Sequence, residues 1–266
     1  MKSVFRDDVL EGKVAFVTGG GSGICKGITR TLLAHGARAA IVGRKADRLE
    51  AAAKELTEQT GRECIACPAD VRSPQEVEAA LDRALERFGA LDVVVNGAAG
   101  NFLAPAAQLS YNGLKTVVEI DTLGTWNVSK ASFDRWLRDH GGHIVNISAT
   151  LHYAATPMQV HACVAKAGVD AMTRTLALEW GQLGIQVNGI APGPIGDTEG
   201  MTRLAPGDFA EKLTKTIPLR RLGTIDDVAR CALWLVSGAA SYVHGETIVV
   251  DGGAWLAGSG AMMTLG

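Results

Sequence analysis

The residues best suited to chemistry sit early in the chain. Gly19, Gly20, Gly21, Ser22 and Gly23 stand between a short apolar run (Val14, Ala15, Phe16, Val17, closed by Thr18) and a stretch with helical apolar spacing at Ile28, Leu32 and Leu33. Glycines admit a phosphate close to the backbone, and the first turn of a helix offers unpaired N–H groups and the positive end of its dipole. Strand, glycine turn and helix in that order predict a dinucleotide pyrophosphate site with Gly19, Gly21, Ser22, Gly23 and Ile24 as its contacts. Cys25 takes the place of a last glycine that normally lets helix and strand pack closely, so it is expected to adjust packing more than chemistry. An acid about 20 residues after such a turn usually holds the ribose 2′-hydroxyl of NAD. That place falls at Gly43, followed by Arg44 and Lys45, with Arg48 nearby. Guanidinium and ammonium groups pair a 2′-phosphate, which predicts NADPH rather than NADH.

The remaining reactive side chains offer less. Of the cysteines Cys25, Cys64, Cys67, Cys163 and Cys231, the pair Cys64 and Cys67 has CxxC spacing but lies in a strand-like run. An offset of three on a strand sends the two side chains to opposite faces, so no metal site is expected and all five are read as thiols.

The elements that must position these residues follow from the pattern of short apolar runs. Strands are expected at 14–18, 38–42, 64–67, 91–95, 143–147, 185–190 and 247–250, alternating with helices. Among the helices, Ser73 is expected to cap one with Pro74 at its first position and Glu76 completing a capping box, and Thr224 to cap another. Two longer helical stretches cover 113–138 and 159–181. The fold class expected is α/β: one Rossmann-like doubly wound domain over 1–266 with a seven-stranded parallel sheet. A cofactor half of about 12–150 precedes a catalytic and substrate half of about 151–256. A chain of 266 residues, 47% hydrophobic, suffices for one such core. Its net charge of −2 provides no basic field for nucleic acid. No apolar run approaches the roughly 18 residues of a membrane span. With no secretory or transit pattern in MKSVFRDDVLEGK and no Ser-Lys-Leu type ending in MMTLG, an intracellular, soluble chain is expected, cytoplasmic in a bacterium and peroxisomal in a eukaryote.

TGGGSGI, Asp70-Val71 after the third strand, Asn96-Gly-Ala-Ala-Gly100, and Lys166 in a helix before Pro192-Gly193-Pro194 together resemble the short-chain dehydrogenases/reductases, over nearly the whole chain. The resemblance implies that Asp70 bonds the adenine amino group, that Val71 flanks the ring, that Asn96 and Ala98 line the cofactor, and that Pro192, Gly193, Ile195 and Thr198 hold its nicotinamide end. It also exposes a departure. The family's proton-donating tyrosine, four residues before the lysine, is Ala162 here, the serine position is Ala149 beside Ser148, and Asp121 replaces an asparagine. Without a phenol to protonate an alkoxide, ordinary ketone chemistry is not expected.

One branch matches the departure. NGAAGNFLAPA at 96–106, QVHA and AKAGVDAMTRTLALEWG within 159–181, and APGPIGDTEG at 191–200 look like peroxisomal-type 2,4-dienoyl-CoA reductases. The resemblance implies Lys166 and Asp121 as the catalytic pair. Lys166 would bond the nicotinamide ribose and favour a dienolate, while Asp121 would orient Lys166 and a proton-delivering water. For the acyl-CoA it implies Arg72, Phe102, Ser110, Tyr111, Asn112 and Arg203. It also implies a homotetramer built through the two long helices. Tyr153, His152 and His161 lie near the site and are read as structural. Two other readings stand beside this one: a reductase of another enoyl- or 3-oxoacyl thioester, and a non-catalytic NADPH-binding protein.

Overall fold

In a computed structural model, residues 4–198 and 209–257 are described. Seven parallel strands form one sheet in the order β3-β2-β1-β4-β5-β6-β7. They are β1 (Val14–Thr18), β2 (Arg38–Gly43), β3 (Cys64–Pro68), β4 (Val93–Asn96), β5 (Gly142–Ile147), β6 (Ile185–Pro192) and β7 (Thr247–Val250). All five residues of β1 are buried, as a strand covered by helices on both faces must be. One apolar core lies on each face. Cys64 belongs to one and Cys67 to the other, and both thiols are free. Boundaries shift slightly from the pattern: β4 begins at Val93 rather than Leu91 and extends to Asn96, and β6 runs on to Pro192.

The covering helices start and stop for local reasons. α1 (Gly23–Ala34) buries Ile28, Leu32 and Leu33, and α2 (Ala46–Thr60) ends on left-handed Gly61. Ser73 caps α3 (Pro74–Phe88) by accepting the Glu76 N–H. The expected capping box is only half formed there, because the Glu76 carboxylate turns away to accept the Asp70 N–H at 2.9 Å. The stretch expected as one helix over 113–138 starts at Tyr111 and ends at His140. It comprises α4 (Tyr111–Val118), α5 (Gly124–Ser132) and α6 (Arg138–His140), joined by wide π turns at Glu119–Leu123 and Phe133–Leu137. α7 (Val160–Trp180) follows β5. After β6 come α8 (Phe209–Thr216), a helix that the pattern of apolar runs does not predict, and α9 (Ile225–Leu235). Thr224 and Asp227 form the reciprocal capping box that α3 lacks. A short α10 (Ala254–Ala257) closes the described chain.

The strand order reverses direction between β1 and β4. In an open parallel sheet that crevice, at the carboxyl ends of the strands, is where a ligand binds. Thr18, Asn96, Ile147 and Pro192, the last residues of four neighbouring strands, all end there.

Candidate active site

The glycine turn and the β4 loop are fitted to each other across the crevice. Thr18 Oγ1 accepts the N–H of Gly97 at 2.9 Å and of Ala98 at 3.2 Å. Gly19 adopts φ 69°, and a Cβ there would lie 2.8 Å from the Gly97 carbonyl oxygen. On the other side a Cβ on Gly97 would overlap Cys25 Sγ, so the cysteine sulfur fills the space that Gly97 leaves. Burial pushes the Cys25 thiol up to about 12, which makes it a packing group rather than a nucleophile. Ser22 caps α1 in extended geometry, yet its hydroxyl makes no capping bond, and a Cβ on Gly23 would meet nothing within 4 Å. An open cradle with unpaired donors suits a pyrophosphate. Ile24 is partly buried against the core on the same first turn.

At the end of β2, Gly43 places no side chain over this cradle. Arg44, Lys45 and Arg48 are exposed beside it. Arg44 lies within electrostatic reach of Asp70. Asp70 itself is gripped by Arg72, with Nη2 to Oδ2 at 2.5 Å and Nε to both carboxylate oxygens at 3.0 Å, which holds the acid below its ordinary range. A cleft of about 470 Å³ opens beside the pair, bounded by Glu76, Glu119, Leu123 and Asn127. Arg72 therefore faces three carboxylates within its own chain. Val71 is buried against Gly124.

Asn96 turns its side chain inward. Its amide donates to Ser129 Oγ at 3.0 Å and Asn146 Oδ1 at 2.9 Å, and Asn146 donates on to Thr173 Oγ1 at 2.9 Å. Its side chain thus braces helix against sheet.

Lys166 and Asp121 are brought together in the interior. Lys166 Nζ lies 3.0 Å from Asp121 Oδ2 and donates to the Ile147 carbonyl at 2.9 Å. The other oxygen, Asp121 Oδ1, accepts the Gly100 N–H at 2.7 Å. Asp121 is 1% and Lys166 8% exposed, so the pair interacts in low dielectric, where losing one partner strands the other. The π turn at Glu119–Leu123 presents Asp121; Thr125 Oγ1 donates to its carbonyl at 2.6 Å, and Thr122 Oγ1 to Ala165 O at 2.9 Å. Such a widened turn is a frequent mark of a functional position. One turn before Lys166 on the same buried stripe stands Ala162, a methyl where a phenol would be needed to protonate an alkoxide. Ser148 Oγ is buried with no partner among the described residues.

The residues expected around the substrate are placed less uniformly. Phe102 lies on the loop after β4, stacked on His161. Ser110 caps α4, its hydroxyl accepting the Gly113 N–H at 3.0 Å, whereas Tyr111 points into solvent and Asn112 is exposed. Arg203 lies outside the described residues. At the end of β6, Gly193 N–H is held by Val250 O at 3.0 Å, Ile195 is buried, and Thr198 Oγ1 donates to Ile195 O at 2.9 Å.

The sequence pattern also left a buried polar cluster unread. Asp170, one helical turn after Lys166, accepts from His152 Nε2 at 2.9 Å and Tyr153 OH at 3.1 Å. Burial, and then the Asp170 charge, push the Tyr153 phenol up. Tyr153 packs edge-on against Trp255 of α10 at 5.6 Å, tying the end of the described chain to this loop. The available signal was an aspartate four positions after Lys166, on the same face of α7.

Among known proteins, a family model described as Enoyl-(Acyl carrier protein) reductase matches residues 19–254. The chain is 51% identical over 255 residues to the peroxisomal 2,4-dienoyl-CoA reductase [(3E)-enoyl-CoA-producing] of Danio rerio, covering 95% of this chain and 85% of that one. It is 41% identical to a probable 2,4-dienoyl-CoA reductase [(2E)-enoyl-CoA-producing] of Bacillus subtilis, covering 93% and 98%. Among solved structures, a short chain dehydrogenase from Bacillus anthracis superposes with TM-score 0.84 at 39% identity, covering 92% of this chain and 98% of that one. A gluconate 5-dehydrogenase from Burkholderia cenocepacia, in complex with NADP and tartrate, superposes with TM-score 0.87 at 29% identity, covering 94% and 98%. With strand order, glycine turn and buried lysine all in place, the chain belongs to the short-chain dehydrogenase/reductase family.

Proposed function

We propose that this chain reduces 2,4-dienoyl-CoA to 3-enoyl-CoA with NADPH, in the oxidation of unsaturated fatty acids. The observation that carries the reading is a buried Lys166–Asp121 pair beside a methyl, Ala162, at the place where a carbonyl reductase needs a phenol. Relatives bearing the dienoyl-CoA reductase name, at about half identity over 95% of the chain, support it.

The cradle at Gly19–Ile24 would hold the pyrophosphate, Arg44 and Lys45 the 2′-phosphate, and Pro192–Thr198 the nicotinamide end. When bound, NADPH supplies the hydride, which adds to C5 of the dienoyl thioester. The negative charge then spreads over the thioester, and a proton added at C2 leaves the double bond between C3 and C4. Because that proton goes to carbon, no donor aimed at a carbonyl oxygen is required. Lys166 favours the charged intermediate through its own fixed charge and keeps a third N–H for the ribose. Asp121, with one oxygen on Lys166 and the other on Gly100, positions both the ammonium and the loop that roofs the substrate. A water bound at Asp121 would deliver the proton. Phe102, the Ser110–Asn112 segment, Arg72 and Arg203 would receive the acyl-CoA. Exposed Leu123, Trp126 and Leu178 on the long helices support assembly into a homotetramer through those faces. The site of action would be the cytoplasm of a bacterium or a peroxisome. No helix among the described residues is long and apolar enough to cross a membrane.

The test is NADPH oxidation with 2,4-hexadienoyl-CoA alongside acetoacetyl-CoA, with products identified by mass and NMR. Turnover of the dienoyl substrate alone, giving a 3-enoyl-CoA, is expected. Turnover of acetoacetyl-CoA alone, or none with either thioester despite NADPH binding, overturns the reading.

A further inference from the structure

The loop leaving β4 is stitched to the start of α7 along its length. Asn101 Nδ2 donates to Gln159 Oε1 at 2.7 Å, and the Ala104 N–H to Met158 O at 2.9 Å. Between these ties stands His161, which is fully buried. Its ring stacks on Phe102 with centroids 4.2 Å apart and planes 15° from parallel, and its Nε2 lies 2.9 Å from the carbonyl oxygen of the same Phe102. A carbonyl accepts only, so Nε2 carries the proton and donates. The other ring nitrogen, Nδ1, is buried with no partner among the described residues. An apolar side chain would fill this space without burying an orphaned nitrogen, which is unfavourable. What an apolar residue could not do is hold both the backbone and the ring of Phe102 at once. On the far side, the ring tip reaches the start of α4: a Cβ on Gly113 would stand 3.2 Å from Phe102 Cζ. The ring of Phe102, itself 40% exposed, is thus fixed between α7 and the Ser110–Asn112 segment.

We infer that His161 is a positioning residue that locks Phe102 as one wall of the acyl-CoA site, and so sets affinity for the thioester without taking part in hydride transfer. The inference rests on the acyl-CoA reading above. The two contacts of its grip, the donor and the stack, can be separated by substitution. His161→Gln keeps a donor near Nε2 and loses the stack, His161→Phe keeps a stack and loses the donor, and His161→Ala loses both. With the holoenzyme, His161→Ala is expected to raise KM for 2,4-hexadienoyl-CoA about tenfold while kcat and KM for NADPH stay within about twofold, and each of the other variants to recover part of the loss. Hydrogen-exchange mass spectrometry of the same proteins, which needs no substrate, is expected to show faster exchange across residues 101–105 in His161→Ala. A wild type that turns over no dienoyl-CoA defeats the acyl-CoA reading, while the exchange measurement still decides the lock. Unchanged exchange in a folded His161→Ala protein overturns the inference. So does an unchanged KM for the thioester, or an equal rise in both KM values.

Discussion

The two ends of the crevice are built on opposite principles. The cofactor end, from Thr18 to Ser22 and across to Gly97 and Ala98, is made of backbone and of side chains that are missing, joined by the neutral Thr18 hydroxyl. Its fit depends on Gly19 meeting the Gly97 carbonyl and on Cys25 filling the gap beside Gly97. The end proposed to be catalytic is made of buried side chains: Lys166 is held against Asp121, and next to it on α7 the structural trio of Asp170, His152 and Tyr153 is held the same way. A steric fit can be restored by trimming the neighbour, because van der Waals contact is symmetric and carries no desolvation debt. A buried charge has no such remedy, since removing one partner leaves the other uncompensated. The comparison therefore predicts losses that no change of a neighbour restores at one end and rescuable losses at the other.

The largest effect is expected from Lys166→Ala, which should lower kcat at least 10³-fold by roughly the scale of a lost electrostatic donor. Near-normal turnover with the dienoyl substrate would break the comparison at its charged end. Asp121→Asn comes next. An amide keeps an acceptor for Gly100 but strands the Lys166 ammonium, so kcat should fall about 10- to 100-fold and the protein should lose about 3 kcal/mol of stability in urea titrations. Third, Gly97→Ala should drive a methyl into Cys25 Sγ and raise KM for NADPH about tenfold, with the thioester kinetics little changed. Combining it with Cys25→Ala should restore most of that loss. Failure of the double variant to recover would mean that the two ends do not differ as described.

The smallest effect is a control at the capping box of α9, whose carboxylate belongs to neither end. Asp227 is held down to about 2, chiefly by its bond to Arg221, against an ordinary 3.8. A carboxyl depressed on folding contributes stability that is present above pH 3.8 and is lost as pH falls toward 2. Asp227→Asn should therefore cost about 1 kcal/mol near neutral pH, allowing for solvent screening, and the difference from wild type should vanish below about pH 2. Thermal melts across that range give the answer, and turnover at neutral pH should not change.

The amino-acid sequence determined whatever depends on neighbours in the chain. The glycine turn, the buried apolar strands, the caps at Ser73 and Thr224 and the opposite faces of Cys64 and Cys67 all follow from backbone conformation and periodicity over a few residues. Gly43 followed by Arg44 carries the proposal of a phosphorylated cofactor in the same local way. The Lys166–Asp121 pair was legible through family resemblance, but not its burial, nor the π turn that presents Asp121. The pattern of apolar runs does not predict α8, and Glu76 leaves the Ser73 cap because its carboxylate accepts the Asp70 N–H in place of the Ser73 N–H. Only the tertiary structure could bring Cys25 against Gly97, His161 against Phe102, and His152 and Tyr153 onto Asp170. Those contacts depend on the order of the strands in the sheet and the rotation of α7 against it, and neither is encoded in the spacing of residues along any one segment.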